Sequence, residues 1–377
     1  MNTINGQIIS LAVPVLGDDV KKALCDVIQS GWLTMGDRVK EFESRFAELH
    51  GVENAVAVNS CTAGLHLCLA ALGIGPGDKV LVPSLTFVAT VNAVLYVGAT
   101  PVFVDIEDIV SPHISIEDAE RKYSSAVKAV FVMHYGGYVV DLQAWRAFAD
   151  AHKIFLIEDA AHAPAVGEVG RCSDAAAFSF FTNKNMTTSE GGMVMARDPS
   201  VLSSIRYQRS HGMTSGTLDR QKGHAYSYDV TTLGYNYRMD ELRAAMGLIQ
   251  LERLSKWNKR RRELSGYYRQ IIESTITKVN IPFEHVHETS AHLMPVLIPE
   301  EANRISVMKK LRENGIQTSI HYPPIHQFSY YKKRFPGVEL PKTEAFCARE
   351  LTLPLHPLLS EDDIKYVCKS LQEAILF

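Results

Sequence analysis

The sequence is short of the features that mark specialised classes of protein. Its six cysteines (Cys25, Cys61, Cys68, Cys172, Cys347 and Cys368) form no C-x-x-C pair and show no metal-ligand spacing. That argues against a disulfide framework and a metal centre, and leaves them as small buried hydrophobes of a reducing compartment. An excess of one charge is also missing: 42 acidic residues face 39 basic ones, a formal net charge of −3. Such a balance gives no electrostatic footprint for nucleic acid. The one basic cluster, Lys259-Arg260-Arg261-Arg262, falls in a long helical pattern and reads as a solvated helix face. The first ten residues lack a basic segment followed by an apolar one, so no signal peptide is expected and the cytoplasm is the expected location. Residues 80–104 carry no charge over a length that could span a bilayer. Pro83, Asn92, Gly98 and Pro101 divide that stretch into strand, helix and strand, which speaks against a membrane segment. No internal repeat or low-complexity tract is present.

What remains is an ordinary globular composition, 46% hydrophobic and 21% charged, over 377 residues. That length suggests two units, a larger one over 1–245 and a smaller α/β one over 246–377. Apolar positions at spacings of three and four predict helices over 18–28 and around Val39, Phe42, Phe46 and Leu49, closed by Gly31 and Gly51. Short apolar runs then predict seven strands, at 55–58, 79–82, 101–104, 129–133, 154–157, 175–181 and 192–196. Helical stretches at 63–72, 87–96, 116–123 and 142–152 separate most of them. This alternation predicts a seven-stranded, mostly parallel sheet covered on both faces, with its last strand antiparallel. A long helix over 239–272, with a break, leads to the smaller unit. That unit is expected to hold strands at 293–298 and 316–320 and helices at 301–314 and 361–374.

Two apolar runs end on chemistry. The run 154–157 stops at Glu158-Asp159, and 175–181 stops at Thr182-Asn183-Lys184. In an open α/β sheet ligands collect at the carboxyl ends of strands, so Asp159 and Lys184 are delivered to one rim. An acid and a primary amine there suit pyridoxal phosphate, the amine forming a Schiff base and the acid keeping the ring nitrogen protonated. His162, one helical turn beyond Asp159, could reach the ring hydroxyl or the substrate. Residues 59–64 follow a strand and begin a helix, so backbone N–H groups and the Thr62 hydroxyl offer a phosphate site. Ser179 is a second phosphate donor, and Phe87 could stack on the ring. The glycine-rich loop 73–78 ends a helix rather than starting one and reads as a turn, not a dinucleotide fingerprint. On this pattern alone a surface lysine, a helix-capping aspartate and a core phenylalanine remain open readings.

Several ordered motifs resolve those alternatives. Ser60-Cys61-Thr62-Ala63, Pro83-Ser84-Leu85-Thr86-Phe87, Glu158-Asp159-Ala160-Ala161-His162, Phe178-Ser179-Phe180, Asn183-Lys184-Asn185, Glu190-Gly191-Gly192 and Gly234-Tyr235-Asn236-Tyr237-Arg238-Met239 occur in that order. Together they resemble the DegT/DnrJ/EryC1/StrS family of pyridoxal-phosphate-dependent sugar aminotransferases, over nearly the whole chain. The resemblance implies a fold-type I transferase with pyridoxal 5'-phosphate as cofactor and pyridoxamine 5'-phosphate as its alternate form. It implies Lys184 as the Schiff-base lysine, Asp159 at the ring nitrogen and His162 at the ring oxygen. Phe87 would stack on the ring, and Thr62, Ala63 and Ser179 would hold the phosphate. It further implies a homodimer in which Asn236 reaches the partner's phosphate, and a substrate loop carrying His321, Tyr322 and His326. L-glutamate would donate the amino group and a nucleotide-linked deoxysugar would accept it. A cyclitol aminotransferase and a non-catalytic regulatory member are the alternatives; the retained Lys184 speaks against the family's dehydratase branch. Cys61, Phe181 and Ser189 stand where the family commonly has Gly, His and Gly.

Overall fold

In the computed structural model, which describes residues 8–214, 223, 227–284 and 288–376, the apolar runs assemble into one central sheet. Its strands are β1 (Val56–Val58), β2 (Lys79–Pro83), β3 (Thr100–Val104), β4 (Val127–Met133), β5 (Phe155–Asp159), β6 (Ala175–Ser179) and β7 (Gly192–Ala196). They lie in the order β1-β7-β6-β5-β4-β2-β3. Every pairing from β6 to β3 is parallel, and β7 runs against both of its neighbours. Apart from Lys79 and Lys128 near their starts, strands β2, β4 and β6 are buried along their length because helices cover both faces, which is why they read as continuous apolar runs. One face packs on the helices Asp37–His50, Leu142–His152 and the first half of Glu241–Thr275. The other packs on Cys61–Ala71, Val88–Tyr96 and Pro199–Gln208. The uncharged stretch 80–104 is therefore strand, helix and strand, and no helix among the described residues is long and apolar enough to cross a membrane.

The helix Glu241–Thr275 runs unbroken for 35 residues, without the expected interruption. Its Leu248, Leu251 and Leu254 pack into the first core and its Leu264, Tyr268 and Ile272 into a second. The expected boundary between residues 245 and 246 lies inside this helix. The basic cluster on it is not simply a solvated face. Arg260, Arg261 and Arg262 donate to the carbonyls of Leu359, Leu355 and Thr289. Arg261 is buried, and that burial lowers its pKa to about 10.

The second core differs from expectation in one strand. Residues 316–320 form only isolated bridges, Ile316 to Ile9 and Ser319 to Thr352. The partner of β8 (Met294–Leu297) is instead β9 (Glu350–Leu353), paired antiparallel. Glu350-Leu351-Thr352-Leu353 alternates polar and apolar as a one-sided strand would, yet all four residues are buried.

Gly192 joins the strand ends at the rim. It lies opposite Val58 of β1 and Ser179 of β6. A Cβ at this position would come within 2.7 Å of the Cys61 amide nitrogen and 2.8 Å of the Phe178 carbonyl oxygen, both backbone atoms. Gly192→Ala should therefore push the start of the helix Cys61–Ala71 off the sheet and lower stability by about 1–3 kcal/mol. Denaturant unfolding measures this, and an unchanged midpoint would contradict it.

Candidate active site

The carboxyl ends of β2, β4, β5 and β6 meet at one rim above a cavity of about 350 Å³, within the range of small-molecule sites. At the end of β5 the two acids part company. Glu158 turns inward, where Oε2 lies 2.7 Å from His134 Nε2 and the Gly170 N–H donates to it. Asp159 faces the cavity. Its Oδ2 accepts from Thr90 Oγ1 at 2.6 Å and its Oδ1 from the Ala161 N–H at 3.1 Å. Burial raises the Asp159 pKa, and these donors together with Lys184 oppose the shift.

Lys184 sits on the hairpin between β6 and β7. The Phe180 N–H donates to Gly191 O and the Thr188 N–H to Phe180 O, which closes the hairpin. Asn185 anchors it from behind: its Nδ2 donates to Asn258 Oδ1 on the long helix and to Ser290 O, and its Oδ1 contacts His292 Nδ1 at 3.0 Å. Ser189 closes the loop at φ +70°, a left-handed conformation that favours glycine. The Lys184 amine lines the cavity, and desolvation lowers its pKa to about 8 against the attraction of Asp159.

The cavity also gathers Thr62, Phe87, His162, Ser179, His321 and Tyr322. His162 Nδ1 accepts from the Gly136 N–H at 3.2 Å, and its Nε2 lies 3.1 Å from the Tyr322 hydroxyl. A ring that accepts at Nδ1 carries its proton on Nε2. Burial, then the charge of Lys184, push its pKa well below the usual histidine value, so it is neutral. Phe87 and Tyr322 face each other with centroids 5.8 Å apart.

The structure sets three expected residues apart. Ala63 does not line the cavity, because its N–H is taken by Ser60 Oγ at 3.1 Å as the cap of the helix Cys61–Ala71. Gly64 N–H is likewise taken by Ser60 O. Of the first four N–H groups of that helix, those of Cys61 and Thr62 have no partner among the described residues and remain for a ligand. His326 is buried away from the cavity, its Nδ1 on Ser84 Oγ at 2.8 Å and its Nε2 on Glu344 Oε1 at 3.0 Å, so both ring nitrogens are committed. Asn236 is exposed and lies outside this chain's own cavity, its carbonyl accepting from Asn59 Nδ2. Sequence reasoning missed Thr90, whose only signal is a bond to a residue 69 positions away. It also missed Tyr135, Glu350 and Thr352, which hold the segment before Tyr322.

The donor set fits a phosphorylated pyridine aldehyde. There is a helix N-terminus with two uncommitted N–H groups, a buried carboxyl, an amine with depressed basicity, and an exposed aromatic ring beside them. The model of the DegT/DnrJ/EryC1/StrS aminotransferase family matches residues 14–372. The chain belongs to this family. Among curated members, the Bacillus subtilis spore coat polysaccharide biosynthesis protein SpsC is 37% identical over 97% of this chain and 96% of its own length. Helicobacter pylori PseC, an aminotransferase involved in pseudoaminic acid biosynthesis, superposes with a TM-score of 0.91 at 27% identity, over 98% of this chain and all of its own. Spr1654 of Streptococcus pneumoniae, solved in PLP- and PMP-forms, superposes with a TM-score of 0.88 at 28% identity; the PMP-form match covers 97% of this chain and 98% of that one. The chain shares the fold of these DegT/DnrJ/EryC1/StrS family structures over nearly its whole length.

An amine of depressed basicity has a readable consequence. Lys184 should react with an amine-acylating reagent along a titration centred near pH 8 rather than near the ordinary lysine value of 10.5. Because the folded pKa lies below the unfolded one, the unfolded chain binds the extra proton between the two values. Stability should therefore gain from this group as pH rises from about 8 to about 10.5, and Lys184→Met should remove that gain. Peptide-mapped labelling and denaturation at several pH values check both.

Proposed function

We propose that the chain is a pyridoxal-phosphate-dependent aminotransferase that moves an amino group from L-glutamate to a keto group of a nucleotide-linked deoxysugar. The observation that carries this reading is the convergence of Lys184, Asp159 and the free N–H groups of Cys61 and Thr62 on one cavity. Relatives in polysaccharide and pseudoaminic acid biosynthesis support a sugar as the acceptor. The family resemblance supports glutamate as the donor and the nucleotide as the sugar's carrier.

The residues then divide the work. The Cys61 and Thr62 N–H groups, the Thr62 hydroxyl and Ser179 hold the phosphate at a helix N-terminus. Asp159 would keep a proton on the ring nitrogen, and Thr90, by occupying Oδ2, would influence which carboxylate oxygen does so. Phe87 would pack on the ring, while the His162 Nε2–H donates to the Tyr322 hydroxyl and leaves that hydroxyl's own proton for the ring oxygen or the substrate. Bound there, the cofactor supplies an electron sink that lets a proton leave the amine-bearing carbon. Lys184 tethers the cofactor between turnovers. Its Nζ, when free, would take up that proton and give it back, a task suited to an amine with a pKa of about 8. Asn236 acts on the site of a second copy in a homodimer, and the reaction runs in the cytoplasm.

The purified protein should be yellow, and L-glutamate should bleach it. Lys184→Ala should still bind pyridoxal phosphate by absorbance yet show no turnover; normal turnover refutes the role given to Lys184, and a colourless protein favours a non-catalytic family member. Asn236 has a separate test. Mixing refolded Lys184→Ala and Asn236→Ala chains, each inactive alone, should regain about a quarter of wild-type activity, because half the dimers would carry one intact site. No recovery would place Asn236 outside the partner's site.

A further inference from the structure

Behind the Lys184 cavity lies a chain of hydrogen bonds that holding the cofactor does not require. Strand β9 supplies Glu350 and Thr352, each about 1% exposed. Thr352 Oγ1 donates to Glu350 Oε1 at 2.5 Å and also meets His321 Nδ1 at 2.8 Å. A hydroxyl has one proton to give. Thr352 gives its proton to Glu350, so the second contact runs the other way and Nδ1–H donates to Oγ1. The remaining nitrogen of a neutral imidazole is then a bare acceptor. His321 is neutral, since desolvation and the charge of Lys184 lower its pKa to about 4.

Among the described residues Nε2 has no hydrogen-bond partner, and it is not one of the sealed, orphaned atoms. His321 itself lines the cavity that Lys184 lines. The backbone is held as firmly as the ring: the His321 N–H donates to Glu350 Oε2 at 2.8 Å, and the Tyr135 hydroxyl donates to the His321 carbonyl. Burial pushes the Glu350 carboxyl up to about 8. The Thr352 hydroxyl and the His321 N–H, followed by the charge of Arg304, oppose that shift and favour the carboxylate, the form that accepts at Oε1.

We propose that Glu350 and Thr352 are positioning residues that lock His321 in its Nδ1–H form, so that Nε2 accepts a hydrogen bond from a sugar hydroxyl in the Lys184 cavity. The lock discriminates between the two halves of the reaction. A sugar brings hydroxyl donors, which a bare nitrogen can receive. Glutamate brings carboxylates, which are acceptors themselves and gain nothing from it. The hydroxyl half of this inference rests on the sugar-aminotransferase reading; the tautomer does not.

Two measurements test it separately. In the cofactor-loaded enzyme labelled with 15N-histidine, and with His321→Gln to assign the signal, His321 should show a protonated Nδ1 and a bare Nε2. Thr352→Val should abolish that pattern and Thr352→Ser should restore it. A protonated Nε2 in the wild type, or an unchanged tautomer in Thr352→Val, overturns the lock. In half-reactions followed by cofactor absorbance, Thr352→Val should slow reaction with dTDP- and UDP-linked amino sugars at least about tenfold more than reaction with L-glutamate, with Thr352→Ser again restoring it. Equal slowing of both halves overturns the hydroxyl contact. Wild-type enzyme that reacts with none of the amino sugars refutes the sugar reading and the hydroxyl contact with it, while the spectra still decide the lock.

Discussion

Lys184 and Asp159 interact inside a desolvated cavity, where burial moves both groups toward their neutral forms and their mutual attraction moves them back. An amine near pKa 8 results, basic enough to carry a proton and free enough of it to act as a nucleophile. That compromise survives only if neither group can drift to solvent. Thr90 and the Ala161 N–H hold the carboxyl, while Asn185, Asn258 and the Ser290 carbonyl hold the hairpin that carries the amine. The reversed strand β7 serves the same end, since the turn into it places Lys184 above the rim that β5 reaches.

The phosphate end of the cavity depends on the same strand. Gly192 lets backbone meet backbone between β7 and the start of the helix Cys61–Ala71, so two amide groups arrive at the rim without a side chain between them. Ser60 uses the next amide for its own cap. Capping the helix and binding an anion thus draw on adjacent N–H groups of one turn and do not compete.

The second core does more than pack against the long helix. That helix ties it to the first, with arginines donating to three carbonyls beyond the sheet. Its strand β9 then sets two buried polar side chains against the segment that carries His321 and Tyr322. A buried carboxyl is costly unless its lone pairs are used. Glu350 meets that condition by receiving a backbone amide and a threonine hydroxyl, and the order it gains passes to the ring of His321.

Much of this could be read from the chain alone, for a physical reason. Apolar runs that stop at Asp159 and near Lys184 mark strand ends, and strand ends in such a sheet mark the rim, so the acid, the amine and the seven strands were visible as local pattern. So were the glycine stops at Gly31 and Gly51, both left-handed. Contacts between distant segments had no such local trace. Thr90 reaches Asp159, Ser60 takes the amide of Ala63, His326 turns to Ser84 and Glu344, and Arg261 leaves its solvated face for a buried carbonyl. β9 hid because its two polar residues find partners only after folding, which let a buried strand look one-sided. The order of apolar and charged residues determined where the reactive groups lie along the sheet; packing between remote segments decided which of their atoms remain free to act.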